Sequence, residues 1–350
     1  MGFFNRNIMK IFLYLFGLVL LLCSCGATAP VVIPKAPKQP KILADDLPDP
    51  TKPQITVVLP DIDKMLSVEA TLNFLAADEL QGRDTGTLGI ETAAQFIEAR
   101  FERAGVAPFY STYRDAFEVN GQDAFNILGM VEGQDEQLKK EVIIIGAHYD
   151  HIGQGRKNLV NDSIANGAND NASGTTAVLA LADHFAQAKN NKRTLLFALF
   201  SAEEKGLLGS KHMASQLKSG GISLYTMFNI EMIGVPMKNK DHLVYLSGFS
   251  KSNLAEKFNE YTGSKTIGFL PKAAEFGLFM RSDNYPFFQQ FNVPAHTISS
   301  FDFTNFDHYH GVDDEVELMD IDHMERVINQ IIPGIEQLAN SLTQELKMNQ

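Results

Sequence analysis

Val142-Ile143-Ile144-Ile145-Gly146-Ala147 leads straight into His148-Tyr149-Asp150. A run of small and β-branched apolar residues without polar alternation is a strand buried on both faces, and such strands lie in sheets covered by helices above and below. Residues 195–200 have the same character and residues 227–230 a less pure form of it, so three central strands are expected. Elsewhere the spacing changes to that of helices. Ile90, Ala93, Ala94, Ile97, Phe101 and Ala104 recur on one face until Gly105 stops the pattern, and residues 172–186 and 324–342 read as amphipathic helices. Pro333 interrupts the last of these and should kink it. The alternation of strand and helix predicts an α/β sandwich around a mostly parallel sheet.

The polar residues of interest follow these strands directly. His148-Tyr149-Asp150 comes after the first, Ser201-Ala202-Glu203-Glu204 after the second and Glu231-Met232-Ile233-Gly234 after the third. A loop, Gly167-Ala168-Asn169-Asp170-Asn171-Ala172-Ser173-Gly174, lies between the first two. Ligand sites of open α/β sheets form outside the carboxyl ends of the strands, so residues far apart in sequence can converge there. Each piece alone has a plainer reading: a strand-end histidine is often a satisfied polar group, Asp170 could cap a helix, and Glu203-Glu204 could be a solvated turn. Together they are costly unless a cation or a proton compensates them, because adjacent carboxylates at a buried strand end repel and lose hydration. A pair of metal ions would compensate them.

As an ordered set, His148-x-Asp150, Asn169-Asp170-Asn171-Ala172-Ser173-Gly174, Ser201-Ala202-Glu203-Glu204-x-Gly206-Leu207-Leu208-Gly209-Ser210, Met232-Ile233-Gly234 and Ser282-Asp283 resemble the motifs of the bacterial co-catalytic zinc aminopeptidases. That family also includes glutaminyl cyclase and the ectodomains of glutamate carboxypeptidase and transferrin receptor. Leu75-x-x-Asp78-Glu79-Leu80-x-Gly82-Arg83-x-Thr85-Gly86 resembles the start of its exported members, so the likeness covers about residues 65–345. It implies a three-layer sandwich around a mostly parallel mixed sheet. The family's last ligand is a histidine after a tyrosine, with acids four and ten residues further on. Counted from His310 these are Asp314 and Asp320; counted from His308 they are Val312 and Leu318, which favours His310 and leaves His308 as a surface or supporting residue.

Carried over residue by residue, the resemblance implies two Zn²⁺ ions, with Co²⁺ or Mn²⁺ as substitutes. His148 and Glu231 would hold one ion, Glu204 and His310 the other, and Asp170 would bridge them. Two Zn²⁺, three carboxylates and a bridging hydroxide form a neutral cluster, and imidazole with carboxylate suits zinc better than magnesium or calcium. Asp150 would accept the second N–H of His148 and fix its orientation. Glu231 stands where the family more commonly has aspartate, which bears on how that ion is held. Glu203 would be the general base, and Tyr309 resembles a tyrosine that donates to the tetrahedral oxyanion, packing being its other reading. Phe276, Phe279, Phe301, Phe303 and Phe306 fall in the segment that forms the specificity pocket of relatives and hint at an apolar side-chain preference; burial in the core is the alternative. The activity implied is exopeptidic removal of N-terminal residues from peptides with a free amino terminus. The rivals are a glutaminyl cyclase, whose pocket is built with tryptophans that this chain lacks, a carboxypeptidase or dipeptidase of the same fold, and a binding module without metal.

Composition sets the outer bounds. The 350 residues are 45% hydrophobic and 21% charged, an ordinary globular balance, and the net charge of −12 excludes nucleic acid as an expected partner. Arg6 and Lys10 precede an apolar run over residues 11–22, too short to span a bilayer and suited to a signal peptide. The run ends in Leu22-Cys23-Ser24-Cys25-Gly26, which resembles the bacterial lipobox, with small Ser24 making Cys25 the lipid-bearing residue; an ordinary secretion signal is the alternative. Residues 26–60 carry eight of the 14 prolines and few large apolar groups, the composition of an extended tether. The expected organisation is a signal peptide at 1–24, a lipid anchor and tether at 25–60 and a catalytic domain at 61–348. The protein would be an exported lipoprotein of the cell envelope. Gly26, where an inner-membrane retention signal has aspartate, points to the outer membrane.

Overall fold

The computed structural model describes residues 59–158 and 160–349. The expected signal peptide and the anchor and tether lie outside the described residues, apart from Leu59 and Pro60. In chain order the strands are β1 Ala107–Pro108, β2 Arg114–Val119, β3 Gln122–Val131, β4 Glu141–His148, β5 Gly153–Gln154, β6 Ile164–Ala165, β7 Thr194–Phe200, β8 Ser223–Ile230, β9 Val244–Leu246, β10 Ile267–Gly268 and β11 Ala295–Ser299. The α-helices are α1 Val68–Leu75, α2 Leu88–Ala104, α3 Ser173–Ala188, α4 Leu208–Ser219, α5 Leu254–Thr262, α6 Pro271–Glu275, α7 Asn284–Phe291 and α8 Ile321–Asn340.

One mixed sheet carries the fold, in the order β1-β3-β7-β4-β8-β11-β9-β10 with β2 paired to β3. Its centre, β7-β4-β8-β11, is parallel throughout, while β3 and β9 run antiparallel to β7 and β11. The three apolar runs are β4, β7 and β8, and the reason for their composition is visible in which core each side chain enters. Ile143, Ile145 and Ala147 of β4 pack with Phe96, Leu181 and Ile331 from α2, α3 and α8, whereas Val142 and Ile144 pack with Met213, Leu217 and Phe287 from α4 and α7. Helices therefore cover both faces, and past their first residues, half-buried Glu141 and exposed Ser223, these strands are buried throughout.

Two local expectations meet the structure differently. Helix α2 ends as expected, with Gly105 in the left-handed region at φ 77°. Helix α8, however, runs unbroken through Pro333. The buried stripe Val327, Ile328, Ile331, Ile335 and Leu338 continues on both sides of the proline, and this burial outweighs the one backbone hydrogen bond that proline cannot donate. The helix stops at Asn340, so Leu342, expected within it, is largely exposed.

Because β4, β7, β8 and β11 are parallel, their carboxyl ends open on one edge of the sheet. His148, Ser201 to Glu204, Glu231 and Ser300 all follow at that edge.

Candidate active site

The loop after Gly167 is stitched to the loop after β8 by its own side chains. Asn171 donates from Nδ2 to the Ile230 carbonyl at 3.0 Å and accepts from the Met232 N–H at 3.1 Å. Ser173 accepts from the Ile233 N–H at 3.1 Å and Asn169 from the Gly234 N–H at 2.9 Å. These asparagines and this serine satisfy backbone groups that the end of β8 leaves without strand partners. Gly174 completes the junction, since a Cβ there would lie 2.3 Å from the Ile230 carbonyl oxygen. The Asn169 and Asp170 N–H groups are in turn held by Asp314, at 2.7 and 3.0 Å, so the segment bearing His310 is bound to the loop bearing Asp170. Asp320 caps α8 through the His323 N–H at 2.8 Å, which accounts for the second acid of the C-terminal pattern.

Asp170 sits between two imidazoles. Its Oδ1 is 3.3 Å from His148 Nε2 and its Oδ2 is 3.2 Å from His310 Nε2. His310 Nε2 is also 3.2 Å from Glu204 Oε2. Glu231 accepts from the Ser282 hydroxyl at 2.8 Å, which gives the Ser-Asp motif a role, while Asp283 beside it is fully buried. His308 packs against Phe306 and takes no part in the cluster. Asp150 differs from expectation: His148 Nδ1 faces the Asp150 main-chain carbonyl at 3.2 Å and its carboxylate only at 3.7 Å. The carboxylate is instead turned to the N–H groups of Glu203 and Glu204, at 3.2 and 3.3 Å, which lie past the end of β7 and have no strand to pair with.

Two residues at the cluster stand outside the expected ligand set: His151, which no motif singles out, and Arg83, which the opening motif contains without a role. His151 is fully buried, with Nδ1 2.9 Å from Glu204 Oε1, and it stands only three residues after His148. Among the described residues, two sets of donor groups lie within 4.8 Å of one another: His148 with Glu203 and Glu204, and His151 with Asp170 and Glu204. Glu231 belongs to neither set. The second residue, Arg83, is buried beneath the cluster and donates to the carbonyls of Tyr149 at 2.9 Å, Asn166 at 2.7 Å, Gly167 at 3.1 Å and also Leu75. Burial lowers its pKa to about 10 against the pull of Asp314, Asp150, Asp170 and Glu204. Arg83→Met should lower the unfolding free energy by about 3–5 kcal/mol, because it removes a buried cation and leaves its carbonyl partners unsatisfied. Urea denaturation measures this, and a loss under about 1 kcal/mol would contradict the assignment.

The electrostatics describe a site that draws positive charge. Burial alone would lower the His148 pKa, but Glu203, Asp150 and Asp170 raise it well above the usual imidazole value. His310 is raised to about 10 by Asp170 and Glu204. Burial pushes the Glu231 and Asp283 carboxyls up to about 7, and pushes Glu203 well above the ordinary range with help from Asp283 and Glu231. Buried carboxylates in this number need cations, and a donor set of imidazole nitrogens and carboxylate oxygens fits zinc.

A cleft of about 430 Å³ opens beside the cluster. Glu203, Glu204, Glu231 and His310 form one end of it, Leu278, Met280, Phe301 and Phe303 wall it, and Tyr245, Ser247, Thr297 and Ser299 add hydroxyls. Tyr309 lines it too, 40% exposed, with its ring stacked on His310 at 3.9 Å and on Phe301 at 5.5 Å. Of the phenylalanines expected to shape specificity, Phe301 and Phe303 line the cleft and Phe276 packs on Phe303. Phe279 and Phe306 are core residues.

A mixed sheet covered on both faces, with histidines and carboxylates gathered at the carboxyl ends of its parallel strands, is the architecture of the zinc peptidases. A profile of peptidase family M28 matches residues 126–333. The chain belongs to peptidase family M28. A probable leucine aminopeptidase of Trichophyton verrucosum is 30% identical over 215 residues, which are 57% of this chain and 53% of that protein. The chain spans about half the length of the curated relatives it matches first. The LapA aminopeptidase of Legionella pneumophila superposes with a TM-score of 0.61 at 19% identity, covering 81% of this chain and 74% of that one. Fimbriiglobus ruber glutaminyl cyclase superposes equally well, with a TM-score of 0.61 at 19% identity over 83% and 99% of the two chains. These structures share the fold.

Proposed function

We propose that the protein is a two-zinc aminopeptidase, and the observation that carries this reading is the division of Asp170 between His148 and His310. A carboxylate with each oxygen turned to a different imidazole is suited to bridge two ions. His148 and Glu231 would hold one, and Glu204 and His310 the other. The chemistry zinc supplies there is Lewis acidity toward a carbonyl and toward water.

The protein's own groups do the rest. Glu203, on the cleft wall, takes the proton of the attacking water and passes it to the leaving amine. Tyr309 keeps its phenolic proton, because burial and nearby carboxylates raise its pKa, and so donates to the oxyanion. The substrate's amino terminus is received by the carboxylates of Glu203 and Glu231. Its first side chain enters the cleft between Leu278, Met280, Phe301 and Phe303, which favours apolar residues. The N-terminal sequence supports a separate part of the proposal: an exported lipoprotein of the cell envelope, cleaved after Ser24, lipidated on Cys25 and tethered through residue 60.

A panel of peptides and their N-acetylated twins, incubated with the zinc-loaded chain from residue 26 onward and read by mass spectrometry, tests this. Stepwise loss of N-terminal residues from the free peptides alone is expected, fastest where those residues are apolar. Cleavage of both forms would indicate a carboxypeptidase or endopeptidase, and loss of ammonia from N-terminal glutamine a cyclase.

A further inference from the structure

We infer that His151 is a positioning residue that ties one oxygen of Glu204 and leaves the other as its only ligating atom. The inference rests on the metal reading above and concerns a side chain to which that reading gives no part. His151 Nδ1 lies 2.9 Å from Glu204 Oε1, while Glu204 Oε2 faces His310 Nε2 at 3.2 Å. The two oxygens of one carboxylate are thus divided between an imidazole that donates to it and the side where a metal would be held. His151 Nδ1 is 4.0 Å from Asp170 Oδ2, too far for a second hydrogen bond, so its N–H belongs to Glu204.

The ring has no freedom to leave. Its face lies against Gly167, where a Cβ would come within 2.6 Å of His151 Cγ and Cδ2, and Gly167 has a φ of 58° that glycine adopts without strain. The His310 ring meets it edge-on at 5.9 Å, and the His151 backbone N–H donates to the Arg83 carbonyl at 3.3 Å. His151 Nε2 is buried with no protein partner, so Nδ1 carries the ring's one hydrogen bond to another side chain. Supporting hydrogen bonds of this kind orient a carboxylate toward its metal, and their loss weakens binding by about 10- to 100-fold.

The test compares full-length wild type in detergent with His151→Ala and His151→Asn, measuring zinc affinity by chelator competition and coordination by the visible spectrum of the cobalt-substituted proteins. Wild type is expected to bind two ions. His151→Ala should bind one of them about 10- to 100-fold more weakly. In His151→Asn, whose amide can donate in place of Nδ1–H, most of that affinity should return with a wild-type cobalt spectrum. Unchanged affinities in His151→Ala would overturn the inference while leaving the metal reading intact. Equal loss in both variants, with an altered cobalt spectrum in each, would make His151 itself a ligand and also overturn it. Failure of wild type to take up zinc would overturn the metal reading first.

Discussion

Glu203→Gln is expected to lower kcat by about 10²- to 10⁴-fold while zinc content stays at the wild-type value. The substitution keeps the shape of the side chain and removes its capacity to accept a proton. It should not disturb the backbone, since what anchors residue 203 is its N–H, bound to Asp150 Oδ1 at 3.2 Å. Nor does it touch the ligand set proposed for either ion. A fall in kcat with little change in KM would locate the loss in the transition state rather than in substrate binding. Elemental analysis and steady-state kinetics on one preparation decide it: near-normal turnover removes Glu203 as the base, and lost zinc makes it a ligand.

Asp170→Asn should fail differently, losing metal as well as activity. An amide offers one neutral oxygen where the carboxylate offers two charged ones, so the group facing both His148 Nε2 and His310 Nε2 is halved and discharged. Zinc affinity should fall by at least about 100-fold, beyond the loss expected from a residue that only supports a ligand. The backbone should survive, because Asp314 holds the N–H of residue 170 and not its side chain. Zinc per chain after dialysis, with the unfolding temperature as control, gives the answer. Two ions retained in a folded variant would exclude Asp170 as the bridge.

The parts of this fold that are legible in sequence are those where burial alone decides residue type. Strands β4, β7 and β8 are apolar on both faces because helices cover both, and the pattern says so. Strand β11 is equally buried but contains His296 and Thr297, whose polar groups are satisfied by neighbouring elements. His296 Nδ1 meets the Ser247 carbonyl at 2.8 Å, and the Thr297 hydroxyl donates to Asn284 at 2.8 Å. A strand solvated by its neighbours looks like a loop until the neighbours are known. Strand β3 begins Gln122-Asp123, with both residues exposed, and hides its apolar half in the same way.

The site divides along the same line. Residues directly after the apolar strands stand out because their carboxylates need a counter-charge. His151 and Arg83 do not, since their burial depends on Gly167, Asn166 and Leu75, and no local pattern announces contacts of such range. The Asp150 carboxylate went to the Glu203 and Glu204 amides for a comparable reason: backbone groups beyond a strand end are invisible in sequence and must be satisfied.

The bond from Asp314 to the amides of Asn169 and Asp170 also bears on timing. A growing chain that has made β4, β7 and β8 still lacks β11, His310 and the acceptor that holds the Asp170 loop. On the reading proposed above, the site is complete only when the segment bearing His310 and Asp314 has docked against the Asp170 loop. On the same reading, a chain cut before His310 would lack both a metal-holding imidazole and the acceptor of the Asp170 loop, and is expected to be inactive.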